Sequence, residues 1–441
     1  MTVSSANKAG IAVVGGGQAA AQLIETLRYE GYAGGITLVG DEPGLPYQRP
    51  PLSKQYLAGA RAPDWLLYRP SAFYARHGVD TLLGVAASAI DRAAHRITLA
   101  DGRTIAYDQL AIATGCRVRK LSVPGAEVCD VGGVHYLRTI ADVDRIRARL
   151  TTARRVVIIG GGFIGLEVAA MLVQLGHTVT VLEAQDRVLP RVVAPLVAEF
   201  FSHQHQRHGV RIVTGAHVVG LRVGPEQTRE IVCADGERHL ADLLIVGIGV
   251  LPNVELAQAA GLACDRASGG IIVDEYARSS DAHIVAAGDC ASQPHPRSGG
   301  HMRLETVHNA VEQARTAATT LCGKEVPYRQ APWVWSDQYA LRLQAVGMIE
   351  GADTEVLRGD PATGKFSLFY FQDERLLAAH CVNRSADFAA TRRLLNEDIA
   401  LTHAQAADAT FELSQLLPAR VRLRFDQPWP PRSRSAMTNN L

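Results

Sequence analysis

The feature that most constrains this chain is a strand, glycine turn, helix and strand unit that occurs twice. Near the start, Ile11-Ala-Val-Val14 is an apolar run short enough for a buried parallel strand. Gly15-Gly-Gly17 ends it. The stretch Ala19 to Arg28 is rich in helix formers and places Ala20, Leu23, Ile24 and Leu27 on one face, before Gly31 stops it. Ile36-Thr-Leu-Val39 then reads as a second strand, completing a βαβ unit. The same order returns at Val156-Val-Ile-Ile159, Gly160-Gly-Gly-Phe-Ile-Gly165, a helix running to Leu175, and Thr178-Val-Thr-Val-Leu182.

In Gly15-x-Gly17-x-x-Ala20 and Gly160-x-Gly162-x-x-Gly165 the three positions have separate physical duties. The first glycine makes the tight turn, the second lets the backbone approach a pyrophosphate, and the small third residue lets helix and strand pack closely. The phosphate belongs at the helix N-terminus, where free N–H groups and the dipole favour negative charge. Two units therefore imply two dinucleotides. Each second strand also ends on acid: Asp41 and Glu42 follow the first, and Glu183 follows the second. A carboxylate there accepts from ribose hydroxyls, and Asp41 is the expected ligand in the first unit. Glu183 repels a 2′-phosphate, which points to NADH over NADPH, although Arg187 and Arg191 lie close by in sequence.

Two more strand endings recur in parallel positions, Leu110-Ala-Ile-Ala-Thr-Gly115 and Leu243-Leu-Ile-Val-Gly-Ile-Gly249, and each is expected to close one sheet. Ile284-Val-Ala-Ala-Gly-Asp289 adds an apolar strand running into a Gly-Asp turn, a loop with Pro294, Pro296, Gly299 and Gly300 follows, and a helix should begin near Thr306. From Ala331 the texture becomes aromatic and β-leaning, as in Trp333-Val-Trp335, Leu341 to Val346 and Phe366 to Phe371.

The expected fold class is α/β, with two Rossmann-like dinucleotide-binding domains and a C-terminal α+β domain. At 441 residues a count of roughly three domains is reasonable. The expected boundaries are 1–117 with 248–328 for the first dinucleotide domain, 118–247 for the second and 329–424 for the third. Residues 425–441 are expected to form a loose tail, and Met1 to Ala9 a polar lead.

The balance of 45 basic against 44 acidic residues gives no global field to recruit nucleic acid or a membrane surface. The first ten residues lack the pattern of a signal peptide, and no run approaches the roughly 18 apolar residues of a membrane span. The expected address is the cytoplasm. Seven scattered cysteines (Cys116, Cys129, Cys233, Cys264, Cys290, Cys322 and Cys381) show no C-x-x-C or zinc-type spacing, so they read as reduced, mostly structural thiols, and no metal site is expected.

Two dinucleotide folds joined by an Ala-Thr-Gly strand end and completed by a Gly-Asp turn resemble the pyridine-nucleotide-dependent flavoprotein reductases. In the disulfide reductases of that superfamily a cysteine pair follows the first unit. Here that stretch is Pro46-Tyr-Gln-Arg-Pro-Pro-Leu-Ser-Lys54, without a thiol. This argues against disulfide chemistry and leaves flavin as the redox centre. The motif Tyr47-x-Arg-Pro-Pro-Leu-Ser-Lys54, with Tyr136-Leu-Arg-Thr139, Gly160 to Glu167, Gly288-Asp289, Glu305 to Ala314 and Trp335-Ser-Asp-Gln338, resembles the ferredoxin reductases of bacterial oxygenase systems.

The resemblance implies FAD and NADH as cofactors and a [2Fe–2S] ferredoxin as partner, feeding a P450 or a Rieske oxygenase. The oligomeric state stays open between monomer and weak dimer. The expected FAD site comprises Gly15, Gly17, Ala19, Ala20, Asp41, Arg49, Lys54, Thr114, Gly115, Arg138, Asp289, Glu305, Val307 and Trp335. The expected NAD site comprises Gly160, Gly162, Ile164, Gly165, Glu183, Arg191 and Gly249. By the same resemblance Lys54 lies beside the flavin ring and Glu167 is its partner near the nicotinamide. Trp335 lies near the flavin, as a core tryptophan or as part of an electron exit path.

Asp289 is placed to accept from the ribityl hydroxyls, and the N–H of Val307 faces the flavin N1/O2 edge. Hydride transfer between stacked rings needs alignment more than a base, so no acid–base catalyst is expected. Arg303, Arg315, Arg342, Arg384, Arg392 and Arg393 are candidates for a basic docking patch. Rubredoxin reductase and NADH oxidase are the alternative enzyme readings. A redox-responsive binding protein similar to apoptosis-inducing factor is the alternative from another class, though the chain has no nuclear-localisation-type basic run.

Overall fold

The computed structural model describes residues 10–129, 133–223, 228–296 and 299–418. The expected polar lead and tail lie outside the described residues. Among the described residues no helix is long and apolar enough to cross a membrane.

Strand β1 (Ile11–Val14) is buried at all four positions, as a strand covered on both faces should be. Helix α1 (Gln18–Tyr29) packs its apolar face on the sheet, and β2 (Ile36–Gly40) returns parallel to β1, with Ile11 opposite Ile36. Val79–Leu83 extends the sheet beyond β2, while Gln109–Ile112 and then Ile284–Ala286 extend it on the other side of β1, all parallel.

The second unit repeats this plan with β3 (Arg155–Ile159), α2 (Phe163–Gln174) and β4 (Thr178–Leu182). Helix α3 (Pro195–Arg207) leads to the strand Arg211–Val213 beside β4. Leu243–Val246 and Val134–Tyr136 lie on the far side of β3. The outermost strand differs in origin: Val134–Tyr136 precedes its unit in the chain, whereas Ile284–Ala286 comes after the whole second unit. An antiparallel pair, Cys116–Val118 with Val250–Pro252, marks the two crossings between the sheets.

Both first glycines are required by backbone geometry. Gly15 sits at φ +124° and a Cβ there would lie 2.1 Å from the Ala113 carbonyl oxygen; Gly160 sits at φ +110°, with 2.3 Å to that of Gly247. Each turn therefore closes against the end of the neighbouring strand, the two strand endings that recur in the sequence.

A second repetition escapes sequence inspection. A three-stranded antiparallel sheet precedes the closing strand in each unit: Ala87–Asp91, Arg96–Leu99 and Thr104–Ala106 in the first, and Val218–Val223, Arg229–Cys233 and Arg238–Ala241 in the second. The loop expected after Asp289 also contains a short hairpin, Ala291–Pro294 with His301–Met302.

Helix α4 (Val307–Leu321) packs its alanine-rich face on the first unit. The remainder forms a five-stranded antiparallel sheet that begins with β5 (Trp333–Gln338) and β6 (Leu341–Gly347), covered by the helix Ser385–Asn396. One continuous apolar cluster joins Tyr47 and Leu52, the second unit, and Leu343 and Phe366 of this sheet. That shared core fixes the segments carrying Lys54, Glu167 and Trp335 against one another.

Candidate active site

A cleft of about 1370 Å³ runs along the C-terminal ends of both parallel sheets, larger than the roughly 300–1,000 Å³ usual for a small ligand. Helices α1 and α2 both open on it. Gly17 and Gly162 are their N-caps, neither helix has a side-chain cap, and neither carries an acid in its first turn. The helix starting at Ile140, in contrast, has a complete capping box from Thr139 and Asp142. Free amides at a helix start need a partner. A Cβ at Gly17 or Gly162 would meet nothing within 4 Å, so both amide edges are open. These two termini fit two pyrophosphates.

The acids at the strand ends divide by their partners. Glu42 accepts from the Tyr47 hydroxyl and from Arg49, each at 2.6 Å, while Asp41 is exposed and lines the cleft. In the second unit Glu183 accepts from the Gly161 N–H at 2.6 Å and the Gln185 N–H at 2.9 Å, which locks its carboxylate at the cleft wall. Arg187 donates to the carbonyls of Pro190 and Val193 and is off the wall; Arg191 lines the cleft near Gly249.

On the same cleft wall, Lys54 Nζ lies 2.5 Å from Glu167 Oε2. Lys54 ends the short 3₁₀ turn Pro50–Ser53, whose two prolines preset the backbone. Glu167 lies one turn into α2 and its side chain is only 4% exposed. It also accepts from the Ser53 hydroxyl at 2.6 Å and the Ser336 hydroxyl at 2.7 Å. Ser336 and Trp335 are neighbours on β5 and point to opposite faces, which puts Trp335 on the cleft wall.

At the first unit's end, Asp289 accepts from the Cys116 thiol at 2.9 Å and from Arg138 at 3.4 Å. Burial, then the Asp289 charge, pushes the Cys116 thiol far up, so it is a donor and not a nucleophile. Thr306 caps α4 by accepting from the Asn309 N–H, and Val307 and Glu305 line the cleft beside it.

Gly15, Ala19, Thr114, Gly115, Gly160, Ile164 and Gly165 also lie on the cleft wall. Ala20, counted with the FAD site, does not line the cleft: it is fully buried in the core between helix and sheet, where its small size serves the packing expected of the third fingerprint position. Sequence inspection missed Cys116 and Asn253. The Asn253 side-chain amide donates to the Thr114 carbonyl, and the Asn253 main-chain carbonyl accepts from the Thr114 hydroxyl. No spacing rule links positions so far apart.

The basic candidates are mostly neutralised locally. Arg303 pairs with Glu305, Arg315 with Glu312, Arg342 with Asp337, Arg384 with Asp387 and Arg393 with Glu397. Arg392 alone of the six makes no ion pair among the described residues.

Residues 9–314 match the pyridine nucleotide-disulphide oxidoreductase family, and residues 333–417 match the reductase C-terminal family. Rhodocoxin reductase of Rhodococcus erythropolis is 44% identical over 403 residues, 91% of this chain and 93% of that protein. The ferredoxin reductase for the CYP199A2 system of Rhodopseudomonas palustris is similar at a TM-score of 0.88 and 40% identity, covering 92% of this chain and 99% of that one. The reductase in a covalent putidaredoxin reductase–putidaredoxin complex also has a TM-score of 0.88, at 41% identity over 93% of this chain and 98% of its own. With two open helix termini and a lysine–glutamate pair on one cleft, this chain belongs to the pyridine nucleotide-disulphide oxidoreductase family, on its ferredoxin reductase branch.

Proposed function

We propose that the chain is an NADH:ferredoxin reductase of the cytoplasm, with FAD on the first unit, NADH on the second, and single electrons leaving to a [2Fe–2S] ferredoxin of a P450 or Rieske oxygenase system. The proposed division is 1–117 with 248–328 for FAD, 118–247 for NADH and 329–424 for the third domain. The observation that carries the reading is the Lys54–Glu167 pair, which lies on the cleft wall and ties the turn after the first βαβ unit to the second of two uncapped glycine-turn helices. When bound, FAD supplies the conversion of a two-electron hydride into single electrons.

The protein's own groups do the rest. Gly17 and Gly162 admit the pyrophosphates; Asp41 and Glu183 accept from the riboses. Asp289, oriented by Arg138 and Cys116, would accept from the hydroxyls of the flavin's polar chain. The start of α4 at Val307, on the cleft wall, would offer its N–H groups to the edge that gains negative charge. Lys54 and Glu167 would align the two rings, and the aromatic wall at Trp335 would exclude water from them. The cytoplasmic assignment follows from the need for NADH and from free thiols that persist in a reducing compartment.

Anaerobic titration of the purified protein with NADH tests the reading. Bleaching of a yellow protein, then fast reoxidation by a [2Fe–2S] ferredoxin and slow reoxidation by oxygen, is expected. A colourless protein removes the flavin assignment; equally fast turnover with oxygen alone, or with rubredoxin in preference, removes the ferredoxin role.

A further inference from the structure

The motif Trp335-Ser-Asp-Gln338 has a use beyond its tryptophan. Ser336 and Gln338 face inward from β5, and both are almost fully buried. Ser336 Oγ lies 2.7 Å from Glu167 Oε1 and 3.0 Å from Gln338 Nε2. Gln338 Oε1 lies 2.8 Å from His205 Nε2, and His205 Nδ1 lies 2.9 Å from the Tyr339 hydroxyl. His205 occupies the inward stripe of α3 that otherwise holds Val197, Ala198 and Phe201, and it is 0% exposed.

One carboxylate fixes the proton positions along this chain. Paired with Lys54, Glu167 can only accept, so the Ser336 hydroxyl donates to it. Having spent its one proton, Ser336 must accept from Gln338, which sets the amide with its NH₂ toward serine and its oxygen toward histidine. That oxygen requires a proton on His205 Nε2. The neutral ring then accepts at Nδ1 from Tyr339. Every donor points the same way, toward Glu167.

The outer end is held by backbone geometry. Tyr339 adopts φ +55°, a conformation few non-glycine residues take, in the two-residue turn where Gln338 pairs with Leu341. Its ring stacks on exposed His208 at 3.8 Å. Burial, reinforced by the His208 charge and opposed by the Gln338 contact, pushes His205 down to about 4, which agrees with a neutral ring.

We propose that His205 is a positioning residue for the reductase site, acting through Gln338 and Ser336 to fix the orientation of the Glu167 carboxylate beside Lys54. The proposal rests on the reading that Lys54 and Glu167 align flavin and nicotinamide. Without the His205 Nε2 proton the Gln338 amide is free to turn over; its oxygen then competes with Glu167 for the Ser336 hydroxyl. His205→Leu and Ser336→Ala therefore have the same consequence at Glu167, from opposite ends of the chain.

The test uses the holoenzyme in anaerobic stopped flow with saturating NADH. Ser336→Ala removes one hydrogen bond to the charged Glu167 and should slow flavin reduction about tenfold; His205→Leu, which loosens the same bond through Gln338, should slow it to a similar extent, with NADH affinity nearly unchanged in both. The double variant should be no slower than either single one, and His205→Gln, whose amide can replace the Nε2 donor, should recover most of the rate. A purely structural role would move the unfolding temperature and spare these rates. Unchanged single-variant rates, additive losses or failure of His205→Gln to rescue each overturn the proposal. Where His205→Leu does not fold, Ser336→Ala and His205→Gln decide. ¹⁵N-histidine NMR of the same holoenzyme should show the Nε2–H tautomer for His205, and an Nδ1–H ring or an imidazolium also overturns it. Wild-type flavin that NADH does not bleach removes the site reading itself, whereas normal bleaching in all variants removes only the role of His205.

Discussion

Lys54 Nζ and Glu167 Oε2 meet at 2.5 Å although 113 positions separate them in the chain. The contact joins the 3₁₀ turn after the first βαβ unit to the helix that opens the second. Both charges are largely withdrawn from water, and such a pair loses much more when one partner is removed than when both are replaced by apolar groups. Lys54→Met should therefore destabilise the holoenzyme by about 3 kcal/mol, and Lys54→Met with Glu167→Leu by clearly less, in denaturant unfolding. Flavin reduction by NADH should be slow in both. Normal reduction in the double variant would confine the pair to a structural role.

The glycines of the second fingerprint should separate ligand binding from folding. A Cβ at Gly162 meets nothing within 4 Å, whereas one at Gly165 would lie 2.0 Å from the Gly160 carbonyl oxygen. Gly162→Ala should keep the unfolding temperature and raise the NADH KM, because only the phosphate approach is obstructed. Gly165→Ala should destabilise the protein by roughly 1–3 kcal/mol or more, since helix and strand must move apart. Calorimetry and NADH titration on the two variants check this, and equal stability loss in both would refute the division of roles.

The contrast explains what was legible in the sequence. Both βαβ units, their acids and the strand endings at Ala113 and Gly247 follow from local pattern, because apolar runs and glycine turns act within about 30 residues. His205 did not stand out. It occupies an apolar stripe, and its partner Gln338 is 133 positions away, so nothing local marks it. Cys116 on Asp289 is equally non-local, at 173 positions. The two small antiparallel sheets are illegible for another reason: their strands are only three to six residues long, too short for a clear alternation.

Buried histidines should make the fold acid-sensitive. Burial pushes His205 and His308 down to about 4 and His380 to about 3; the Arg392 and Arg315 charges add to the effect at His308. The unfolded chain binds these protons near pH 6.5 while the native state refuses them until about pH 4, so in that window stability rises with pH. Each of His205 and His308 should remove on the order of 3 kcal/mol as pH falls from about 6.5 to 4, at roughly 1.4 kcal/mol per pH unit. Among the described residues His308 Nδ1 has no hydrogen-bond partner, which makes His308→Gln the cleaner probe. Its unfolding temperature should fall less than the wild type's between pH 6.5 and 5; an equal fall would exclude His308 from the acid response.

The nucleotide preference depends on how firmly Glu183 is held. Its carboxylate is clamped by the Gly161 and Gln185 amides and cannot swing aside for a 2′-phosphate. Arg187, the nearest cation in sequence, is turned onto the Pro190 and Val193 carbonyls and offers that phosphate no partner. Arg191, on the cleft wall near Gly249, is the remaining cation in this segment; with the Glu183 carboxylate fixed in place, repulsion should outweigh it, and the protein should use NADH better than NADPH. Glu183→Ala removes the ribose acceptor and the repelling charge together. Losing one hydrogen bond to a charged group costs about 1.5 kcal/mol or more, so the NADH KM should rise about tenfold. The NADPH KM should fall or stay level, because the substituted side chain no longer opposes the phosphate. Steady-state kinetics with both nucleotides against one electron acceptor measure the ratio, and an unchanged ratio in Glu183→Ala would move the source of selectivity to another residue of the cleft.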